Sequence, residues 1–151
     1  MQLKDSFEGI LLYRPCACDD YLTWVSQCEL TDSERDAILR ALLAFDFEIK
    51  ANPPKVSPLP LISVIITDRE ELTLSFADTP SVLGITARLI VLPMHRLRIY
   101  DNESLILELS LIEELCHSVY LVDDERLVQD YVVNCFRHLE PNIRREDLYK
   151  T

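Results

Sequence analysis

The chain has 151 residues, with 15 Lys and Arg against 26 Asp and Glu, a formal net charge of −11 and 48% hydrophobic residues. That balance fits one globular domain with its own core and excludes a disordered chain. Two glycines, Gly9 and Gly84, cannot build a Walker phosphate loop, a G-x-G-x-x-G dinucleotide turn or a G-x-S-x-G nucleophile elbow. The carboxylate excess opposes phosphate neutralisation, so direct nucleic-acid binding is not expected, and an anionic membrane surface is disfavoured.

In chain order, Asp19 and Asp20 stand as caps before Tyr21, Leu22, Trp24, Val25 and Cys28, whose spacing predicts a short first helix. Thr31-Asp32-Ser33-Glu34 is a capping box, and Ile38, Leu39, Leu42, Leu43 and Phe45 follow it at helical spacing. Pro53, Pro54, Pro58 and Pro60 make residues 51–60 an extended connector. The β-branched run Leu61 to Thr67 and the alternating Leu72 to Phe76 predict an antiparallel hairpin. Ile85 to Leu92 and Leu97 to Tyr100 add one or two further strands. Leu105, Leu109, Ile112, Cys116 and Val119 then mark a long helix over about residues 103–121, with Asp101 or Asn102 as its cap. Asp123 and Asp124 cap another helix that runs to Pro141, and Asn142 to Tyr149 allows a short last one. The expected fold is therefore α+β: two N-terminal helices, a three- or four-stranded mainly antiparallel sheet, then two to three C-terminal helices. Residues 1–151 form one domain in this reading, with 1–50 helical, 61–100 the sheet and 101–151 helical.

Cys16, Cys18, Cys28, Cys116 and Cys135 are odd in number and scattered, in a chain large enough to fold without disulfide staples. The acidic start, Met1 to Glu8, does not read as a signal peptide, and no apolar stretch approaches the roughly 20 residues of a membrane span. A cytoplasmic protein without a membrane span is the expectation.

One constellation carries chemistry. On the 103–121 helix, Glu113 and His117 stand four apart on one face, close enough to chelate, with Glu114 one step round. Glu113-Glu114-Leu115-Cys116-His117 resembles the H-E-x-x-H helix of zincin metallopeptidases, in which two histidines bind zinc and the glutamate is general base. The resemblance implies His117 as a metal ligand and Glu114 as the base. Glu113 replaces the first histidine, a departure from the pattern. It also implies a minimal zincin-like sheet before the helix and a third ligand after it, from Asp124, Glu125 or Asp130, with Glu125 the first choice. Two carboxylates and one imidazole would formally neutralise Zn²⁺ and leave it a poorer Lewis acid, so Mn²⁺ or Fe²⁺ would compete better there. Glu114 and His117 also form a Glu-x-x-His pair like those of di-iron bundles, but no second such pair exists in the sequence.

Other candidates have plainer readings. Cys16-Ala17-Cys18 lacks thiolate metal-site spacing, Cys116 falls on the core stripe, His95 belongs to a turn near a strand end, and His138 complements a helix carboxyl end. Two functions follow as expectations. The first is a zincin-like domain with a degenerate metal site, either a metal-dependent peptide or amide hydrolase or an inactive relative. The second is a non-catalytic acidic protein-interaction module that takes a protein or peptide partner, with nucleic-acid mimicry as its rarer form.

Overall fold

A computed structural model describes residues 21–55, 59–72 and 88–149. Leu22–Ser26 form strand β1, in which Leu22 and Trp24 are buried while Thr23 and Val25 turn to the other face. This period of two is that of a strand. The segment is thus not the expected first helix. The spacing of Tyr21, Leu22, Trp24, Val25 and Cys28 also suits a helix, but the aromatic and β-branched content of Leu-Thr-Trp-Val-Ser favours the pleated state. Asp19 and Asp20, its expected caps, lie outside the described residues.

Helix α1, Asp32–Ala51, begins at the expected capping box. The Thr31 hydroxyl accepts from the Glu34 backbone N–H, and the Glu34 carboxylate accepts from the Thr31 N–H at 2.8 Å. The chain then returns as β2, Ile62–Thr67, and later as β3, Arg88–Pro93. Among the described residues these strands make a three-stranded sheet in the order β1-β2-β3. Both pairings are parallel, with Leu22 opposite Ile62 and Ile62 opposite Arg88. The expected mainly antiparallel sheet is therefore corrected. Parallel neighbours need a crossover rather than a tight turn, and α1 supplies the one between β1 and β2. Residues 73–76 of the expected hairpin lie outside the described residues.

The expected last strand is also absent at its place. After Pro93 the chain winds into the single turn α2, Met94–Leu97, and Arg98 to Tyr100 follow as a turn. Helices α3, Glu103–Tyr120, and α4, Glu125–Arg137, stand where the apolar spacing put them, and α5, Arg145–Leu148, ends the described chain. One core joins Leu22, Trp24, Ile62, Val64, Ile66, Ile90 and Leu92 of the sheet to Ile38, Phe45, Leu111, Ile112, Val132 and Phe136 of the helices. Each of these side chains contributes about 2 kcal/mol by leaving water. Ile65 is also buried but points to the opposite sheet face, so central β2 reads as a nearly unbroken apolar run, as buried parallel strands do.

The carboxyl end of α3 is tied down by three elements. Arg88 of β3 donates to the Ser118 carbonyl at 2.8 Å, the Tyr120 hydroxyl donates to the Asn52 carbonyl at 2.8 Å, and the Tyr120 ring stacks on Tyr131 of α4 with centroids 4.4 Å apart. Leu121 closes the helix in the left-handed region, at φ 55° and ψ 45°. Glycine adopts that conformation without the Cβ clash. Leu121→Gly is therefore expected to raise stability by about 1 kcal/mol, visible as a rise of a few degrees in the thermal midpoint. An unchanged or lower midpoint would show that the Leu121 side chain contributes more than its backbone costs.

Candidate functional site

Helix α3 is buried almost all round, and Glu113 and His117 emerge together on its remaining half-buried strip, with Glu114 exposed beside them. The spacing prediction for that pair holds, because residues four apart in a helix stand one above the other. Each, however, already has a partner within the fold. The Tyr149 hydroxyl, just beyond α5, donates to Glu113 Oε1 at 2.7 Å. Burial pushes the Glu113 carboxyl above its ordinary range, the Tyr149 hydrogen bond pulls it down, and Glu125 and Glu114 push it up again. Burial, with Glu113 as acceptor, also holds the Tyr149 hydroxyl far above the usual phenol range.

His117 lies in the last turn of α3, where its Nδ1 is 2.6 Å from the Val122 carbonyl. A carbonyl only accepts, so Nδ1 carries a proton and donates it to Val122, while Nε2 points outward. Glu125, the first residue of α4, has its Oε1 3.7 Å from that Nε2, and its side chain is largely exposed. The contact bridges the short connection between α3 and α4. The Asp124 side chain is engaged elsewhere, accepting from the Leu127 N–H at 2.9 Å as the α4 cap, and Asp130 faces Arg145 at 3.6 Å.

The structure thus brings Glu113, His117 and Glu125 into one neighbourhood and leaves Glu114 in solvent. A zinc-type site needs three side-chain donors converging on one point. Among the described residues no group of three or more His, Cys, Asp or Glu is placed to hold a metal ion. Glu113 faces Tyr149 while His117 and Glu125 face each other, so the donor set does not fit the ion that the motif resemblance implies.

The remaining sequence candidates have structural roles. Cys116 and Cys135 are fully buried and meet across α3 and α4, where a mutual hydrogen bond and burial raise the Cys135 thiol far above its usual range. Such thiols are inert. His138 does not simply complement the end of α4: its Nε2 lies 2.8 Å from Glu48 Oε2, a carboxylate that is 1% exposed and also accepts from Asn52. His95 sits in α2 directly after β3, and its Nδ1 is buried without a hydrogen-bond partner among the described residues. Cys16 and Cys18 lie outside the described residues.

Sequence reasoning missed Tyr149 as the partner of Glu113, and it missed Glu108. The latter is 8% exposed on α3, with Oε2 3.3 Å from Arg40 Nε of α1. Burial drives its carboxyl up to about 7, Arg40 opposes the shift and Glu140 adds to it. The signal was a single acid inside the run Leu105-Ile106-Leu107-Glu108-Leu109, where an apolar arc predicts burial.

No helix among the described residues is long and apolar enough to cross a membrane. No family model, curated protein or solved structure matches this chain.

Proposed function

We propose that the protein is a non-catalytic, acidic protein-interaction module whose partner is a basic protein or peptide. The observation that carries this reading is the fate of the motif residues. Glu113 accepts from Tyr149, and the His117 Nδ1–H closes the end of α3 on the Val122 carbonyl. These bonds tie α3 to α5 and to the α3–α4 connection, which is structural work. With 26 acidic against 15 basic residues, the chain attracts cationic surfaces at long range and in a salt-dependent manner.

A second reading follows from His117, whose outward Nε2 faces Glu125. It is a zincin-like relative with a degenerate site, in which Glu113, His117 and Glu125 hold a divalent ion and Glu114 is the base. For this Glu113 would have to leave Tyr149.

One experiment separates the two. The protein, Glu113→Ala, His117→Ala and Tyr149→Phe are each incubated with Zn²⁺, Mn²⁺ and Fe²⁺, desalted, and measured for retained metal and for binding to a pool of basic peptides. The interaction module predicts the same low metal in all four and peptide binding that weakens with salt. One metal per chain, lost in Glu113→Ala and His117→Ala and held more tightly in Tyr149→Phe, would replace it with the metal-site reading.

A further inference from the structure

Between α1, α3 and the segment that leads from α4 into α5 lies a groove of about 880 Å³. Its floor is apolar, formed in part by Leu105 and Phe136, and its charged wall consists of Arg40, Glu108, Glu140 and Asp147. Glu108 and Glu140 share one guanidinium, and Asp147 is met by Arg144. Arg40 is shared, with Nε 3.3 Å from Glu108 and Nη2 hydrogen-bonded to Glu140, so it does not neutralise both acids. Asp147 Oδ2 accepts from the Arg144 backbone N–H at 2.9 Å, and Arg144 Nε lies 3.6 Å away. A long side chain with an aliphatic stem and a cationic head matches such a surface, because the stem covers the floor while the head meets the carboxylates. The volume is that of ordinary ligand sites, roughly 300–1,000 Å³.

We infer that this groove is the docking site of the module, and that it receives a lysine or arginine side chain from a basic segment of the partner protein. The assignment rests on the interaction-module reading and specifies its chemistry. Charge complementarity selects the occupant: the single Arg40 guanidinium is divided between Glu108 and Glu140, so an incoming cation meets the negative charge left over, whereas an acidic side chain would add to it.

Binding is linked to protons. The charged groups around Glu108 are Arg40 from α1 and Glu140 from the segment after α4, and burial pushes its carboxyl up to about 7, so it titrates near neutral pH. An incoming cation favours the carboxylate, so the carboxyl proton leaves to buffer as the ammonium enters. The protons released offset part of the charge that the cation brings in. Affinity therefore falls as pH drops below neutrality.

The test uses the peptide Gly-Ser-Ala-Leu-Lys-Leu-Ala-Ser-Gly and its analogue with norleucine in place of lysine, titrated calorimetrically into the full chain in two buffers of different ionisation enthalpy. The lysine peptide is expected to bind at least about tenfold more tightly than the analogue, a difference of about 1.4 kcal/mol. It is also expected to release a fraction of a proton near neutral pH and none well above it. Glu108→Gln should abolish the proton release, and Glu140→Gln, at a side chain that is 54% exposed, should weaken binding several-fold. Lysine-peptide binding that neither variant changes would overturn the groove assignment while leaving the module reading intact. No preference for lysine over norleucine would also overturn the groove. Failure of the module reading shows separately, as stoichiometric metal uptake at Glu113 and His117.

Discussion

Arg98→Met is expected to lower the folding free energy by about 3 kcal/mol, the lower end of what breaking a buried ion pair costs, because the Arg98 side chain is itself 34% exposed. The guanidinium closes on Glu34 with two bonds, Nε to Oε1 at 2.7 Å and Nη2 to Oε2 at 3.0 Å, and Nη2 also donates to the Glu29 carbonyl at 2.8 Å. Glu34 is 1% exposed. Burial alone would raise its carboxyl, but Arg98, Glu103 and the Thr31 N–H together lower it to about 2. Removing Arg98 leaves a buried carboxylate held only by the helix end and Glu103. The double variant Glu34→Gln with Arg98→Met should recover most of the loss, since glutamine preserves the capping box. The double-mutant cycle would then show a coupling of about 2 kcal/mol. The sign with pH is fixed: a carboxyl lowered on folding contributes stability above its unfolded value of about 4.3, and loses it as pH falls toward about 2. Urea unfolding should therefore show a shallower acid limb for Arg98→Met. A loss within the ordinary range for surface substitutions, about 0.5 kcal/mol, would mean that the helix end and Glu103 suffice to stabilise Glu34.

Glu108 behaves in the opposite sense. Its carboxyl is raised on folding to about 7, so its contribution is complete below the unfolded value of about 4.3 and disappears as pH rises through about 7. Wild-type protein is thus expected to lose on the order of 2 kcal/mol of stability between about pH 5 and pH 8, discounted for water in the groove and for Arg40. Glu108→Gln should flatten this slope, matching wild type at the acidic end and exceeding it by about 1–2 kcal/mol at about pH 8. Parallel urea midpoints for the two proteins across that window would show that Glu108 titrates normally.

These two residues also show what was readable in advance. The capping box gave the start of α1 because Thr31 and Glu34 interact within one turn. The four-three spacing of Leu105, Leu109, Ile112, Cys116 and Val119 gave α3 for a similar local reason. What stayed hidden depended on distant partners. Arg98 finds Glu34 across 64 positions and Tyr149 finds Glu113 across 36, and no periodicity carries that information. Strand direction was hidden in the same way. Ile62 to Thr67 is equally apolar in a hairpin or between parallel neighbours until α1 is known to return the chain to the same edge. At the candidate site, the helical face that joins Glu113 to His117 was legible, whereas the hydroxyl and carbonyl that occupy them were not.

The parallel order of the sheet sets the route by which the chain can assemble. Thr23 meets Ser63 across 40 positions, so among the described residues β1 has no strand partner until the intervening chain has closed a long loop, and that entropy is lost before the β1–β2 contacts offset it. The 20 residues of α1, stabilised from their own capping box, shorten that search, because a formed helix rises only about 1.5 Å per residue and carries Ile62 back toward Leu22 as a rigid rod. The helix is thus a spacer for the sheet as much as a wall of its core. Its first turn, where Glu34 also receives Arg98, fixes where that rod begins.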